Sequence, residues 1–303
     1  MDRTVAFIGL GTMGHPMALN VMKGGFALRA FDIVPSAVDA LTAAGATPAG
    51  SPAEAARGAD IVITMLPNSS HVDEAVFGAN GVAEGIAPDA LYIDMSTIAP
   101  AMTDSLARRL AERGVRMVDA PVGRQQQHAV QGKLLIMIGG EASDVERARP
   151  VLERMGDTIV HCGPIGAGSR MKIVNNFMSI TLNATTAEAL TLAEASGLDV
   201  EVARNVMLGT VAGTGHMGTT YPAKVLKGDL APGFMVDLAL KDLRLAIELG
   251  ESLGLSLETG RTAERAYVEA ARGGHGRHDW TALYAHARKK LEAQNAQPCA
   301  SPH

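Results

Sequence analysis

Val5-Ala6-Phe7-Ile8-Gly9-Leu10-Gly11-Thr12-Met13-Gly14-His15-Pro16-Met17 decides the fold, because an apolar strand-like run passes straight into three spaced glycines and then into helix-forming residues. Gly9 allows the tight bend at the strand end, Gly11 lets backbone approach a pyrophosphate, and Gly14 permits close strand–helix packing. The whole turn, Gly9, Leu10, Gly11, Thr12, Met13 and Gly14, is the candidate phosphate cradle, with the anion at the helix N-terminus. A glycine pattern alone is weak evidence, but here a second run, Leu28-Arg29-Ala30-Phe31, ends in Asp32, eighteen residues beyond Gly14. A carboxylate there accepts hydrogen bonds from the adenosine ribose hydroxyls and meets a 2′-phosphate as like charge, so NAD(H) is expected over NADP(H). The plainer alternative is a Gly-rich turn with Asp32 as a strand-end cap.

Outward from this turn, strand-like runs recur at Ile61–Met65, Leu91–Asp94, Arg116–Asp119, Leu134–Ile138 and Thr158–His161, with Ala/Leu/Met-rich helical segments between most of them. That alternation is the mark of a parallel sheet with crossover helices. After Cys162 the strands stop, and Gly163 to Ser169 reads as a loop leading into a long helix. The fold expected is α/β: an N-terminal Rossmann doubly wound parallel sheet over 1–163, joined by a long helix to an all-α substrate and oligomerisation domain over 164–294. Residues 295–303 read as a disordered tail.

The composition narrows the function classes. At 303 residues the chain is long for one core. Its 47% hydrophobic and 19% charged content argues against disorder, and no apolar run approaches the roughly 20 residues needed to span a bilayer. A net charge of -5 offers no field for nucleic acid, and the basic clusters at 272–278 and 288–290 read as solvated helix ends. Cys162 and Cys299 are too few for a disulfide framework, and with strand-like sequence by Val5 no signal peptide is expected, so the expected compartment is reducing, the cytoplasm. No metal site is expected.

Met65-Leu66-Pro67-Asn68 closes the third strand–helix repeat, so Leu66, Pro67 and Asn68 should pass beneath the adenine and ribose side of the cofactor, although a plain turn would look the same. Asp94-Met95-Ser96-Thr97 brings two hydroxyls to the carboxyl end of the sheet, where ligands gather; Ser96 and Thr97 serve equally well as caps of the next helix. Between Gly168 and Glu188, Lys172, Asn175, Asn176, Ser179, Asn183 and Thr186 fall within about 100° of one helix face. Apolar residues cover the remaining arc, and Lys172 is the only charge on the stripe. Solvent faces carry more Glu, Lys and Arg than this, so the stripe is read as the wall of a pocket on a buried helix.

Gly9 to Ala18, Asp94 to Thr97, Asp119-Ala120-Pro121-Val122-Gly123, Lys172-Ile173-Val174-Asn175-Asn176 and Lys241-Asp242-Leu243 occur in the order and spacing of the β-hydroxyacid dehydrogenases, and the chain resembles that family over nearly its whole length. The resemblance implies reversible hydride transfer between a nicotinamide and a carbonyl carbon, with Lys172 catalytic, Asn176 orienting it, and Lys241 reaching back to the nicotinamide side. It also implies a homodimer or homotetramer built through the helical half. The residues agree: reduction leaves an alkoxide to be protonated, and burial lowers a lysine toward the working pH. A non-catalytic dinucleotide-binding module is the competing class, and the presence of Lys172 with its Asn partners speaks against it.

Where most of that family reads Ser-Gly-Gly after Pro-Val, this chain reads Gly123-Arg124-Gln125. A guanidinium adds a charge-assisted fork for an oxyanion, and Gly123, Arg124, Asn175, Ser179 and Ser96 form the candidate substrate set. Three donor groups suit the three oxygens of a sulfonate, which favours 3-sulfolactaldehyde; succinic semialdehyde or another carboxylate semialdehyde is the alternative. The bulk of Gln125 to His128, Met217 and Tyr221 trims the pocket in either case. His216 either reaches the substrate or is structural.

Overall fold

The computed structural model describes residues 3–216, 219–252 and 254–295. The expected tail therefore lies outside the described residues except for Asn295, and so do Met217 and the side chains of Ser179, Asn183, Lys241 and Asp242. Two compact units divide the chain at Met178–Ser179, inside the long helix.

In the first unit the order is β1 Thr4–Ile8, α1 Gly14–Lys23, β2 Ala27–Phe31, α2 Pro35–Ala43, β3 Thr47–Pro48, α3 Pro52–Ala56, β4 Ile61–Thr64, α4 Ser69–Phe77, α5 Val82–Gly85, β5 Leu91–Asp94 and α6 Pro100–Ala111. There follow β6 Arg116–Asp119, β7 Val122–Gly123, α7 Gln126–Val130, β8 Leu134–Gly139, α8 Ala142–Leu152, β9 Gly156–Gly163 and α9 Ala167–Ala195. The strands form one nine-stranded sheet in the order β3-β2-β1-β4-β5-β6-β8-β7, with β9 on β8. From β3 to β6 every pairing is parallel, and the order reverses between β1 and β4, which is where a doubly wound sheet opens a ligand crevice at its carboxyl edge.

Both faces are covered, as a parallel sheet requires. Along β1, Val5 and Phe7 enter one apolar cluster with Met17 and Val21 of α1, while Ala6 and Ile8 enter a second with Val72 and Val76 of α4 and Leu106 of α6. The departure from an all-parallel sheet comes after β6. The two-residue β7 pairs antiparallel with β8, as does the end of β6, and β8 then pairs parallel with β9.

The second unit is helical: the rest of α9, α10 Val200–Leu208, α11 Val211–Thr214, α12 Thr220–Ala223, α13 Val236–Ser252, α14 Glu258–Ala270 and α15 Ala282–Asn295. Val236, Ala270 and Ala282 form its buried centre with Leu230, Tyr267 and Leu283 against them. Buried Asp279 ties the centre together: Oδ2 accepts the Gly233 amide at 2.9 Å and Oδ1 the Thr281 hydroxyl at 2.7 Å. Phe234 and His216 each stand edge-on to Trp280, at 5.1 and 4.6 Å between ring centres, and His216 Nδ1 lies 2.8 Å from the Thr220 hydroxyl. Among the described residues no helix is long and apolar enough to cross a membrane.

One expectation fails. The apolar arc of α9 is not buried in the single chain, since Met171, Val174 and Leu182 are 46%, 63% and 47% exposed. The sequence marks the side chains as apolar, but it does not say whether this chain or another one covers them.

Candidate active site

The glycine turn takes its shape from contacts that leave no space for a side chain. Gly9 has φ +94°, and a Cβ on it would run into the Met65 carbonyl oxygen at the end of β4; one on Gly14 would run into the Gly9 carbonyl oxygen. Gly11 is the opposite case, with nothing within 4 Å of a Cβ built on it. The bend and the packing thus account for Gly9 and Gly14, and the open space over Gly11 is what an approaching pyrophosphate needs.

Asp32 closes β2 beside this turn. Its Oδ2 accepts the Leu10 amide at 2.6 Å and its Oδ1 the Val34 amide at 2.8 Å, so each oxygen keeps a lone pair for a further donor. The Leu10 side chain is core, 3% exposed, and its part in the site is that amide. A cleft of about 600 Å³ runs along Gly11, Thr12, Met13, Asp32, Leu66 and Pro67, within the range of cofactor pockets. Its shape, the α1 N-terminus and the carboxylate suit a nicotinamide dinucleotide.

Asn68 takes the plain-turn role that the sequence also allows: its Oδ1 accepts from the His71 amide at 3.1 Å and the Ser70 hydroxyl at 2.7 Å, capping α4. Ser96, expected at the substrate, is a correction. It is 1% exposed, and its Oγ accepts the Leu66 amide at 2.9 Å, so it braces the loop that carries Leu66 and Pro67 instead of facing substrate. The Ser96 amide in turn donates to Asp94 Oδ1 at 3.1 Å, which also accepts from the Thr64 hydroxyl at 2.9 Å. Burial, with the nearby Asp119 charge adding to it, pushes the Asp94 carboxyl up to about 6. Thr97, next along, is exposed.

Lys172 sits in the second turn of α9, half-buried, and loss of solvent lowers its amine below the ordinary lysine value. Asn176, one turn on, is also partly buried; Asn175 is exposed, with its amide 3.5 Å from the Asn176 oxygen. The start of this helix is fixed by Asp119 at the end of β6, whose carboxylate accepts the Gly166 amide at 2.7 Å and the Ser169 amide at 2.6 Å.

Gly123 lies buried in β7 opposite Leu135. Arg124 departs from the free anion fork expected of it. Its backbone is left-handed, φ +74°, and one Nη donates to Asp157 and to the Lys133 carbonyl, both at 2.6 Å, while the other reaches the Thr158 hydroxyl at 3.3 Å. The physical reason is a carboxylate at the start of β9, thirty-three residues away in sequence, that satisfies the guanidinium first.

Residues 4–163 match the family model described as the NAD binding domain of 6-phosphogluconate dehydrogenase, and residues 166–287 match the model for the NAD-binding of NADP-dependent 3-hydroxyisobutyrate dehydrogenase. The chain belongs to the β-hydroxyacid dehydrogenase family. It is accordingly an NAD(P)-dependent oxidoreductase. Among its relatives is the 3-sulfolactaldehyde reductase of Escherichia coli (strain K12), 49% identical over 94% of this chain and 95% of that one. The NAD-dependent L-serine dehydrogenase of Pseudomonas aeruginosa is 40% identical over 93% and 96% of the two chains. A solved Mycobacterium tuberculosis 3-hydroxyisobutyrate dehydrogenase with L-serine is 34% identical, with a TM-score of 0.68, and covers 95% of this chain and 100% of its own.

Features of this dehydrogenase's cofactor cleft that sequence reasoning missed are Ile33, Val34, Pro52 and His71 on its rim. Ile33 is 83% exposed and Val34 50%. An apolar pair directly after an acidic strand end was a readable signal, since soluble surfaces rarely gather such residues without a ligand or partner.

Proposed function

We propose that this dehydrogenase reduces a short aldehyde bearing a terminal anion, using NADH, and that the aldehyde is 3-sulfolactaldehyde, giving 2,3-dihydroxypropane-1-sulfonate. The observation that carries the chemistry is the half-buried Lys172 with its lowered amine, one turn from Asn176 on a helix whose start is pinned. The sulfonate reading is supported by the 49% identity to a 3-sulfolactaldehyde reductase.

Gly9, Gly11, Thr12, Met13, Gly14, Asp32, Leu66 and Pro67 would hold the dinucleotide, with Thr97 toward its nicotinamide end. That cofactor supplies the hydride. Lys172 in its charged form gives a proton from Nζ to the oxygen that becomes the alcohol, and in the reverse direction the neutral amine takes that proton back. Asn176 orients the amine or the substrate hydroxyl. Asn175, the Gly123 backbone and Arg124 would receive the anion. Among the described residues the Nε and remaining Nη hydrogens of Arg124 carry no bond, and that edge is the one that can take an oxyanion while Asp157 keeps the other.

The same edge favours a second reading. Two parallel donors match the two oxygens of a carboxylate, so succinic semialdehyde or another carboxylate semialdehyde is the competing substrate. Relative kcat/KM on 3-sulfolactaldehyde and succinic semialdehyde separates them. At least a tenfold preference for the sulfonate, about 1.4 kcal/mol, supports the first reading, and parity removes it.

We also place the enzyme in the cytoplasm as a homodimer or homotetramer. Exposed apolar residues on α9 and α10, Val174, Leu182, Val202 and Val206, support association. Light scattering after gel filtration tests this, and a monomer at micromolar concentration counts against it.

A further inference from the structure

Asp119 is fully buried, yet it is neither in the cofactor cleft nor on the Lys172 stripe. Its carboxylate spends both oxygens on the first turn of α9, through the Gly166 and Ser169 amides, which have no carbonyl of their own helix to bond. The backbone around it is closely packed, with no space for a side chain at either neighbouring glycine. A Cβ on Gly139 would lie 2.5 Å from Asp119 Oδ1 and 2.8 Å from the Gly168 amide, and one on Gly168 would lie 2.9 Å from the Asp119 carbonyl oxygen. Ser169 is held a second time by its hydroxyl, 2.9 Å from that of Thr103 on α6. Lys172 follows Ser169 by three residues, so the placement of its amine is inherited from this anchor.

We propose that Asp119 is the positioning residue for Lys172: by accepting the two amides it fixes where the second turn of α9 presents the amine. The inference rests on Lys172 being the proton donor. Ionisation of Asp119 matters, because a protonated carboxyl puts a hydrogen where one of the two amide hydrogens points. The titratable groups around it are Asp94 opposite it on β5, the neutral Cys162 thiol on β9, and Arg170 on α9, which is itself engaged by Asp104. Burial raises the Asp119 carboxyl above the ordinary value, against the pull of the two amides. The anchored state is therefore lost as pH falls through that raised value, and this produces an acid limb in kcat that does not belong to Lys172.

The test compares Asp119→Asn, Lys172→Ala and the wild-type full chain, measuring NADH affinity, kcat and the pH dependence of kcat. Asp119→Asn is expected to keep NADH binding within about twofold, to lower kcat by roughly 10²-fold, the loss that follows a displacement of about 1 Å, and to lose the acid limb. A folded Asp119→Asn protein with wild-type kcat and an unchanged acid limb overturns the inference. If that variant does not fold, carboxyl NMR of the wild type reads the same point: the Asp119 titration must coincide with the acid limb, and a mismatch overturns the inference. Full activity in Lys172→Ala defeats the reading of Lys172 instead, whatever Asp119 does.

Discussion

The Asp32 carboxylate accepts the Leu10 amide at 2.6 Å, so the residue that ends β2 is tied to the turn that ends β1. The charge is held in place before any cofactor arrives. A 2′-phosphate entering there meets a fixed like charge, and NADH is expected to exceed NADPH by at least about tenfold in kcat/KM. Asp32→Ser should narrow that ratio and weaken NADH as well; equal use of the two cofactors by the wild type would mean that Asp32 does not discriminate.

Gly11 and Gly14 should separate binding from folding. A Cβ on Gly14 meets the Gly9 carbonyl, so Gly14→Ala is expected to destabilise the protein by about 1–3 kcal/mol, read as a lower Tm. Gly11→Val, placed in open space, should leave Tm near wild type and raise the KM for NADH. A reversed pattern contradicts the assignment of the cleft.

Arg124 and Asp157 form an exposed pair, with side chains 35% and 46% accessible, and such pairs are weak. Asp157→Asn therefore removes a competitor for the substrate anion and should lower the KM for anionic aldehydes, by roughly fivefold at most. Arg124→Ala should raise that KM and leave a neutral aldehyde unaffected. Unchanged KM values in both variants would remove Arg124 from the site.

The pH dependence follows from the sign of the Lys172 shift. Its amine is lowered by burial, so the charged form needed for reduction is present below that lowered value and lost as pH rises through it. Alcohol oxidation needs the neutral amine and gains over the same range. Initial rates in the two directions should therefore cross, with oxidation favoured on the alkaline side, and superimposable profiles would count against Lys172.

The residues show which parts of this were legible. β1, the glycine turn and Asp32 lie within one short stretch of chain, where apolar run, spacing and terminal carboxylate all point to the same crevice. β3 and β7 are not legible because two residues carry no period, and without β7 the reversal that sets β8 antiparallel to β6 is not legible either. The sequence places the Ser96 hydroxyl at a strand end where ligands gather, but it does not show that the Leu66 amide reaches that hydroxyl in the fold. Asp157 as the partner of Arg124 is a contact between distant segments, and no local pattern marks it. The Asp119 anchor was half visible, as an acid at a strand end, but its partners across the α9 start were not.

Lys172→Ala in the full chain, assayed for NADH binding and for aldehyde reduction, bears most directly on the central claim. NADH binding should stay near wild type while kcat falls by roughly 10²–10⁴-fold, the usual contribution of a positioned acid–base group. Wild-type kcat with NADH still bound would contradict it.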